Sequence, residues 1–297
     1  MKKFLVIGSA NADLLIHTQR MPKLGETITG SDFSINSGGK GLNQAVAIAK
    51  LGGEVTFLGA VGADANGELL LSEIRKYGIS FAGIKSPDVL TGTAIVTVVN
   101  GDNFIILNQG ANGLITPRLI EDRSCLIREA DYIVLQLEIP MESVVRAAEI
   151  AKKHGKCVII NPAPYVAFPD QLYSLVDYLI PNESEVEQLT NIQVSNEDNC
   201  RAAINYLRAK GIKNVIITLG SRGCVYSENH DIYFCPAEKT NVVDTTSAGD
   251  SFIGALCSRI ARGENLSDAI RYATKVASIT VSRSGAAVSI PYESEIT

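Results

Sequence analysis

Apolar and polar positions along the chain fall into a repeating rhythm. Short runs rich in Val, Ile and Leu occur at residues 4–8, 55–61, 132–137, 157–161, 178–181 and 215–219. They show little alternation, which predicts strands of a parallel sheet buried on both faces. Between them, residues 43–51, 67–77, 142–154, 184–189 and 200–210 carry helical patterns. Strand and helix in alternation predict an α/β fold, a Rossmann-type parallel sheet flanked by helices. The chain then changes character. Residues 224–237 read as a β-hairpin, and two helices follow at about 248–262 and 266–281. In the second, Leu266, Ile270, Ala273, Ala277 and Val281 recur at helical spacing and form one apolar face.

Two stretches break the rhythm. Residues 14–35 and 93–107 alternate apolar with polar positions or carry β-branched runs, and Asn100-Gly101-Asp102-Asn103 marks a hairpin turn in the second. Antiparallel pieces inserted into a parallel chain predict a small β lid, at about 13–36 and 92–110.

Composition narrows the class. Of the 297 residues, 46% are hydrophobic and 20% charged, enough for a sizeable core in one large domain. The net charge of -5, with no basic cluster, argues against nucleic acid as a partner. The apolar start at residues 4–8 is too short for a signal peptide, and no run reaches the length of a membrane span. Six scattered cysteines without a C-x-x-C pair predict mostly buried free thiols and a cytoplasmic protein. His17, His154 and His230 have no metal-type spacing.

Chemistry collects at four strand ends, the edge where open α/β sheets bind ligands. Asn11 and Asp13, two apart in extended chain, share one side and suit vicinal hydroxyls, although an Asx-rich loop also explains them. Gly38, Gly39, Lys40 and Gly41, before Asn43, open a helix. This is no P-loop, because Gly41 stands where a magnesium-binding hydroxyl is needed. Three glycines around a lysine still imply a close backbone approach or a tight turn. Asn182 and Glu185 form an N-cap pair or organise a hydrated magnesium ion. Finally, Asp244-Thr245-Thr246-Ser247-Ala248-Gly249-Asp250 leads into a helix whose first N–H groups can cradle an anion. A Ser247–Asp250 capping box is the plainer account of that last segment.

In this order, the four groups resemble the ribokinase family of carbohydrate kinases, from about residue 4 to residue 291. Gly110-Ala111-Asn112 and Asn161-Pro162-Ala163 add to the likeness. The resemblance implies one kinase domain over residues 1–297, with the lid inserted, that phosphorylates a small sugar with ATP. Ribose is the first candidate, with deoxyribose, a nucleoside or another small sugar as alternatives, and a sugar-binding regulator without turnover as the other class, against which the intact Asp250 and Ala248-Gly249 speak. It implies Asp250 as catalytic base and the N–H groups of Ala248, Gly249 and Asp250 as an anion hole. The sugar would meet Asn11, Asp13, Gly39, Lys40, Asn43 and Glu138, and ATP with magnesium would meet Asn182, Glu185, Thr218, Gly220, Ser221, Gly223 and Thr274. A monovalent cation, potassium, would take Asp244, Thr246, the carbonyls of Thr280, Arg283 and Gly285, and Ser289. Family members that prefer deoxyribose tend to be apolar where this chain has Asn11, and members often pair through the lid as homodimers. Ser247 departs slightly, standing where Gly or Ala is common.

Overall fold

The structure, a computed structural model, describes residues 2–99, 102–228 and 231–296. The chain opens with β1 (Lys3–Ile7), β2 (Asn11–Thr18), β3 (Ser31–Gly38) and α1 (Lys40–Lys50). Next come β4 (Glu54–Leu58), β5 (Ala60–Gly62), α2 (Ala65–Lys76), β6 (Ser80–Phe81) and β7 (Ile84–Ser86). Strands β8 (Gly92–Val99) and β9 (Asp102–Asn108) precede α3 (Pro117–Asp122) and α4 (Ser124–Glu129). The central part holds β10 (Tyr132–Leu135), α5 (Met141–Lys153), β11 (Cys157–Ile160), α6 (Asp170–Tyr173), β12 (Tyr178–Leu179), α7 (Glu183–Thr190) and α8 (Glu197–Ala209). The chain closes with β13 (Asn214–Thr218), β14 (Cys224–Glu228), β15 (Asp231–Cys235), α9 (Ala248–Ile260) and α10 (Leu266–Val281).

The main sheet runs β15-β14-β13-β12-β11-β10-β1-β4-β6. It is parallel from β13 to β6 and antiparallel across β13-β14-β15. Both faces are buried, as the unbroken apolar runs predict. Leu5 and Ile7 of β1 face one core with Ile133, Leu135, Val158, Ile160, Val215 and Ile217, under α5, α7 and α8. Phe4 and Val6 face the other with Val134, Ile159 and Ile216, under α1, α2, α9 and α10. Each such fully buried side chain contributes about 1.5–3 kcal/mol.

A second sheet, β3-β2-β8-β9, stands apart. It realises the irregular stretches, with β2 parallel to β8 and antiparallel pairs at its sides. Asn11 and Asp13 lie in its strand β2 rather than in a loop. The turn expected at Asn100 and Gly101, and His230, lie outside the described residues.

Several elements differ from expectation. The predicted strand 55–61 breaks at Gly59, where the chain leaves the main sheet so that β5 can pair with β7. Helix α1 starts at Lys40, not Asn43, because Gly39 takes φ 89° as its N-cap and turns the chain directly into the helix. Helices α3 and α4 carry too few buried residues to show a clear period, Ile120 and Ile127 being their buried side chains. Among the cysteines, Cys200, Cys224 and Cys257 are buried and all six are free, but Cys125 is exposed. Among the described residues no helix is long and apolar enough to cross a membrane.

Candidate active site

The C-terminal ends of β11, β12 and β13 and the N-termini of α1, α7 and α9 converge on a cleft of about 900 Å³, and the Asn11, Gly39, Asn43 and Glu138 cluster adjoins it at Lys40 and Asp250. Asn182, Glu185, Thr218, Gly220, Ser221 and Gly223 line one side, with Thr274 of α10. Lys40, Ala248, Gly249 and Asp250 line its inner end. The cleft unites residues scattered over the whole chain.

At the inner end, Gly39 lies so close to the start of β2 that a Cβ there would stand 2.7 Å from the Asn11 nitrogen. Only a glycine allows that contact together with φ 89°. Glu138 ties the junction together. Its Oε2 accepts from Lys40 N at 3.1 Å, from Asn11 Nδ2 at 3.4 Å, and from the Ser9 hydroxyl. The other end of the Asn11 amide is also held, because Asn112 Nδ2 donates to Asn11 Oδ1 at 2.7 Å. Asn112 is locked in turn by Ala10, whose N–H donates to its Oδ1 at 2.9 Å.

Asp250 is buried, with 7% of its surface exposed, in the first turn of α9. Asn43 Nδ2 donates to its Oδ2 at 3.2 Å and Gln44 Nε2 to its Oδ1 at 3.0 Å. The capping box proposed for this turn is absent. Ser247 is the N-cap in a left-handed conformation (φ 59°), and its side chain makes no capping bond. Its hydroxyl is buried without a partner among the described residues. The three-donor anion cradle is also narrower than expected. Ala248 N–H donates to the Thr245 carbonyl at 3.2 Å, so the N–H groups of Gly249 and Asp250 are the ones left free of bonds among the described residues.

Electrostatics follow from burial and crowding. Burial pushes the Asp13 carboxyl up to about 7, with help from the negative charges of Glu138 and Asp250. Burial opposes the Lys40 charge, but Asp250, Glu138 and Glu185 outweigh it and hold its pKa above the usual range. Glu185 is raised, chiefly by burial, against hydrogen bonding from Asn182 and the Lys40 charge. The Asn182–Glu185 capping box is present, with Asn182 N donating to Glu185 Oε2 at 2.8 Å and Asn182 Nδ2 to Oε1 at 2.9 Å.

Beside α9, Asp244 joins two distant segments. Thr246 N donates to its Oδ1 and Gly285 N to its Oδ2, both at 2.9 Å. Burial opposes its ionisation, yet these bonds prevail and hold its carboxyl below the ordinary range. Thr280 and Ser289 are buried nearby in the chain, with hydroxyls bonded to Val276 and Ala286 carbonyls. The Arg283 side chain points instead to Glu295.

Sequence reasoning gave no site role to Ser9, Gln44 and Gln136, and none to Asn112 and Asn161 beyond their place in stretches that carry the family likeness. The available signal was a polar residue inside an apolar pattern. Gln44 opens the apolar face of α1, and Gln136 follows the run of β10.

Residues 1–293 match the model of the pfkB family carbohydrate kinases. The chain is 39% identical over 298 residues to a ribokinase of Staphylococcus aureus (strain COL), covering 99% of this chain and 98% of that one. It is 37% identical to a deoxyribokinase of Salmonella typhi, covering 96% and 94%. Among solved structures, Arabidopsis thaliana ribokinase complexed with ribose and ATP superposes with a TM-score of 0.94. That pair is 32% identical, over 100% of this chain and 98% of the other.

Proposed function

The chain belongs to the pfkB family of carbohydrate kinases, and on that premise we propose that it transfers the γ-phosphoryl group of ATP to the 5-hydroxyl of D-ribose. One observation carries this reading. Asp250 lines the cleft together with Asn182, Thr218 and Thr274, accepts from Asn43, and is close enough for its charge to act on Asp13 and Lys40, which supports a meeting of donor and acceptor there.

Asn11, Asp13, Gly39, Lys40, Asn43 and Glu138 hold the sugar. Asn43 Oδ1 is buried without a partner among the described residues, and so keeps an acceptor for a hydroxyl. Asn182, Glu185, Thr218, Gly220, Ser221, Gly223 and Thr274 bind the nucleotide. Asp250 orients the 5-hydroxyl and takes its proton as the new phosphorus–oxygen bond forms. In a loose transition state little charge reaches the attacking oxygen early, so orientation matters more than basicity. The free N–H groups of Gly249 and Asp250 and the unpaired Ser247 hydroxyl meet the charge on the transferred group, and Ala248 joins if its bond to Thr245 opens.

Magnesium suits Asn182 and Glu185 through water, since their own polar atoms are already paired, and it would neutralise charge between the ATP phosphates. Potassium suits Asp244, Thr246, the carbonyls of Thr280, Arg283 and Gly285, and Ser289. The ionised Asp244 carboxylate that bridges two of these segments supports that choice. It would fix the loop carrying the anion site.

The small sheet, lid strands at about 13–36 and 92–110, closes over the sugar to exclude water. Phe33, Ile35, Ile95, Phe104, Ile105, Ile106 and Leu107 on it are exposed, which supports a homodimer through this sheet. Six free cysteines suit a cytoplasmic enzyme. The likeness to a deoxyribokinase makes deoxyribose the second candidate. ADP release measured against ribose, deoxyribose, other pentoses and nucleosides decides. Preference for a nucleoside, or no release with any sugar, overturns the proposal.

A further inference from the structure

Gln44 is the least expected residue around Asp250. Its side chain is fully buried, on the first turns of α1, beneath the cleft. All of its hydrogen-bonding groups are engaged inside the protein. Nε2 donates to Asp250 Oδ1 at 3.0 Å and to Asn161 Oδ1 at 3.3 Å, and Oε1 accepts from Gln136 Nε2 at 2.6 Å. Asn161 is itself anchored, donating from Nδ2 to the Ile180 carbonyl at 2.9 Å.

The orientation of the amide is therefore determined. Its nitrogen must face the Asp250 carboxylate and the anchored Asn161 oxygen, and its oxygen is left to accept from Gln136, whose own Oε1 has no partner among the described residues. Turned over, Gln44 would point an oxygen at a carboxylate and at the Asn161 oxygen, two repulsive contacts in a buried site. Asn43 holds the other oxygen of Asp250 at 3.2 Å. Two donors on two oxygens fix the plane of the carboxylate, where one would leave it free to swing. Asn43 keeps an unpaired acceptor for substrate, whereas Gln44 keeps none.

We propose that Gln44, oriented by Asn161 and braced by Gln136, is a positioning residue for phosphoryl transfer: it holds the Asp250 carboxylate in the direction from which it meets the acceptor hydroxyl. The proposal rests on Asp250 being the base. A residue that only fills space at this position would be replaceable by an apolar side chain of similar length. Holding a catalytic group in line is worth orders of magnitude in rate, and a misplacement of about 1 Å can cost about a hundredfold.

The test is a double-mutant cycle with Gln44→Met and Asp250→Asn, read by kcat and by KM for sugar and ATP. Gln44→Met alone should lower kcat at least about tenfold, with both KM values within about threefold of wild type. Added to Asp250→Asn, it should cost less than about twofold, because the group it orients is already disabled. An equal fractional loss in both backgrounds, or no loss in the wild-type background, overturns the positioning role while leaving the base intact. Near-normal turnover of Asp250→Asn overturns the base assignment itself, and the proposal with it. Should Gln44→Met not fold, Gln136→Met removes the brace without touching Asp250 and must show the same non-additivity.

Discussion

Gly254 of α9 packs against Ala47 of α1 so closely that a Cβ at position 254 would lie 2.3 Å from the Ala47 Cβ. One turn earlier along each helix stand Asp250 and Asn43, whose side chains meet at 3.2 Å. The missing side chain at Gly254 is what lets the two helices approach far enough for the amides of α1 to reach the carboxylate of α9.

Gly254→Ala should therefore lower both stability and turnover. The added methyl also meets the Ala47 carbonyl carbon and the Ile48 nitrogen at 2.9 Å, backbone atoms that cannot rotate away. Overpacking costs about 1–3 kcal/mol, and the better helix propensity of Ala returns roughly 1 at most. A net loss of about 1–2 kcal/mol in urea unfolding, with a several-fold drop in kcat, is expected. Unchanged stability would mean that the helices separate freely and that their contact does not define the site.

Asp250→Asn should reduce kcat at least a hundredfold, about the scale of a positioned general base, with little change in sugar or ATP binding. Asparagine preserves the shape, loses the acceptor for the proton, and turns its NH2 toward one of the two amide donors, Asn43 or Gln44. Steady-state kinetics on the purified variant check this.

Asp13 provides a pH signature. Its carboxyl is raised from 3.8 to about 7 by burial and by the neighbouring charges of Glu138 and Asp250. An acid whose folded pKa lies above its unfolded one is protonated in the native state while the unfolded chain has lost the proton. The sugar-free protein should thus lose stability as pH rises from about 4 to about 7 and change no further from this source above that. Asp13→Asn should flatten this segment of the stability–pH curve. A variant with the same slope as wild type would assign the dependence elsewhere.

Sugar preference should follow Asn11. Its amide is held by Asn112 and Glu138, which fixes the direction of its second N–H and of the remaining lone pair on Oδ1, so these cannot turn to suit a missing hydroxyl. A partner left unpaired costs roughly 1–3 kcal/mol, so ribose should be preferred to 2-deoxyribose by at least about tenfold in kcat/KM. Asn11→Met should narrow that gap by penalising ribose more. Equal use of both sugars by the wild type would remove ribose as the substrate.

Turnover should fall when potassium is replaced by sodium or a large organic cation, because the loop joined by Asp244, Thr246 and Gly285 would lose the ion proposed for it. Equal rates in potassium-containing and potassium-free buffer would dismiss the cation site without touching the kinase chemistry.

The sequence by itself determined the α/β frame, because a strand buried on both faces must be apolar throughout. The runs around Val6, Val134, Ile159 and Ile216 carry that requirement openly. Likewise, the spacing of Leu266, Ile270 and Ala273 sets the buried face of α10. Polar residues just past apolar strands, Asn11, Glu138 and Asn182, marked the edge where the cleft opens, because a polar group at the end of an apolar run needs a local reason, whereas Asp250 follows no strand directly and opens α9. Tertiary structure alone decided which atoms meet. Gln44 and Asp250 are 206 positions apart, and nothing local to either dictates that one amide should face the other's carboxylate. The same holds for the Ala248 N–H, spent on Thr245, and for the end of a strand at Gly59, where a distant partner strand draws the chain away. Local pattern sets which face a residue presents, whereas packing between remote elements sets the last ångström and the direction of each polar group. Phosphoryl transfer depends on that last ångström.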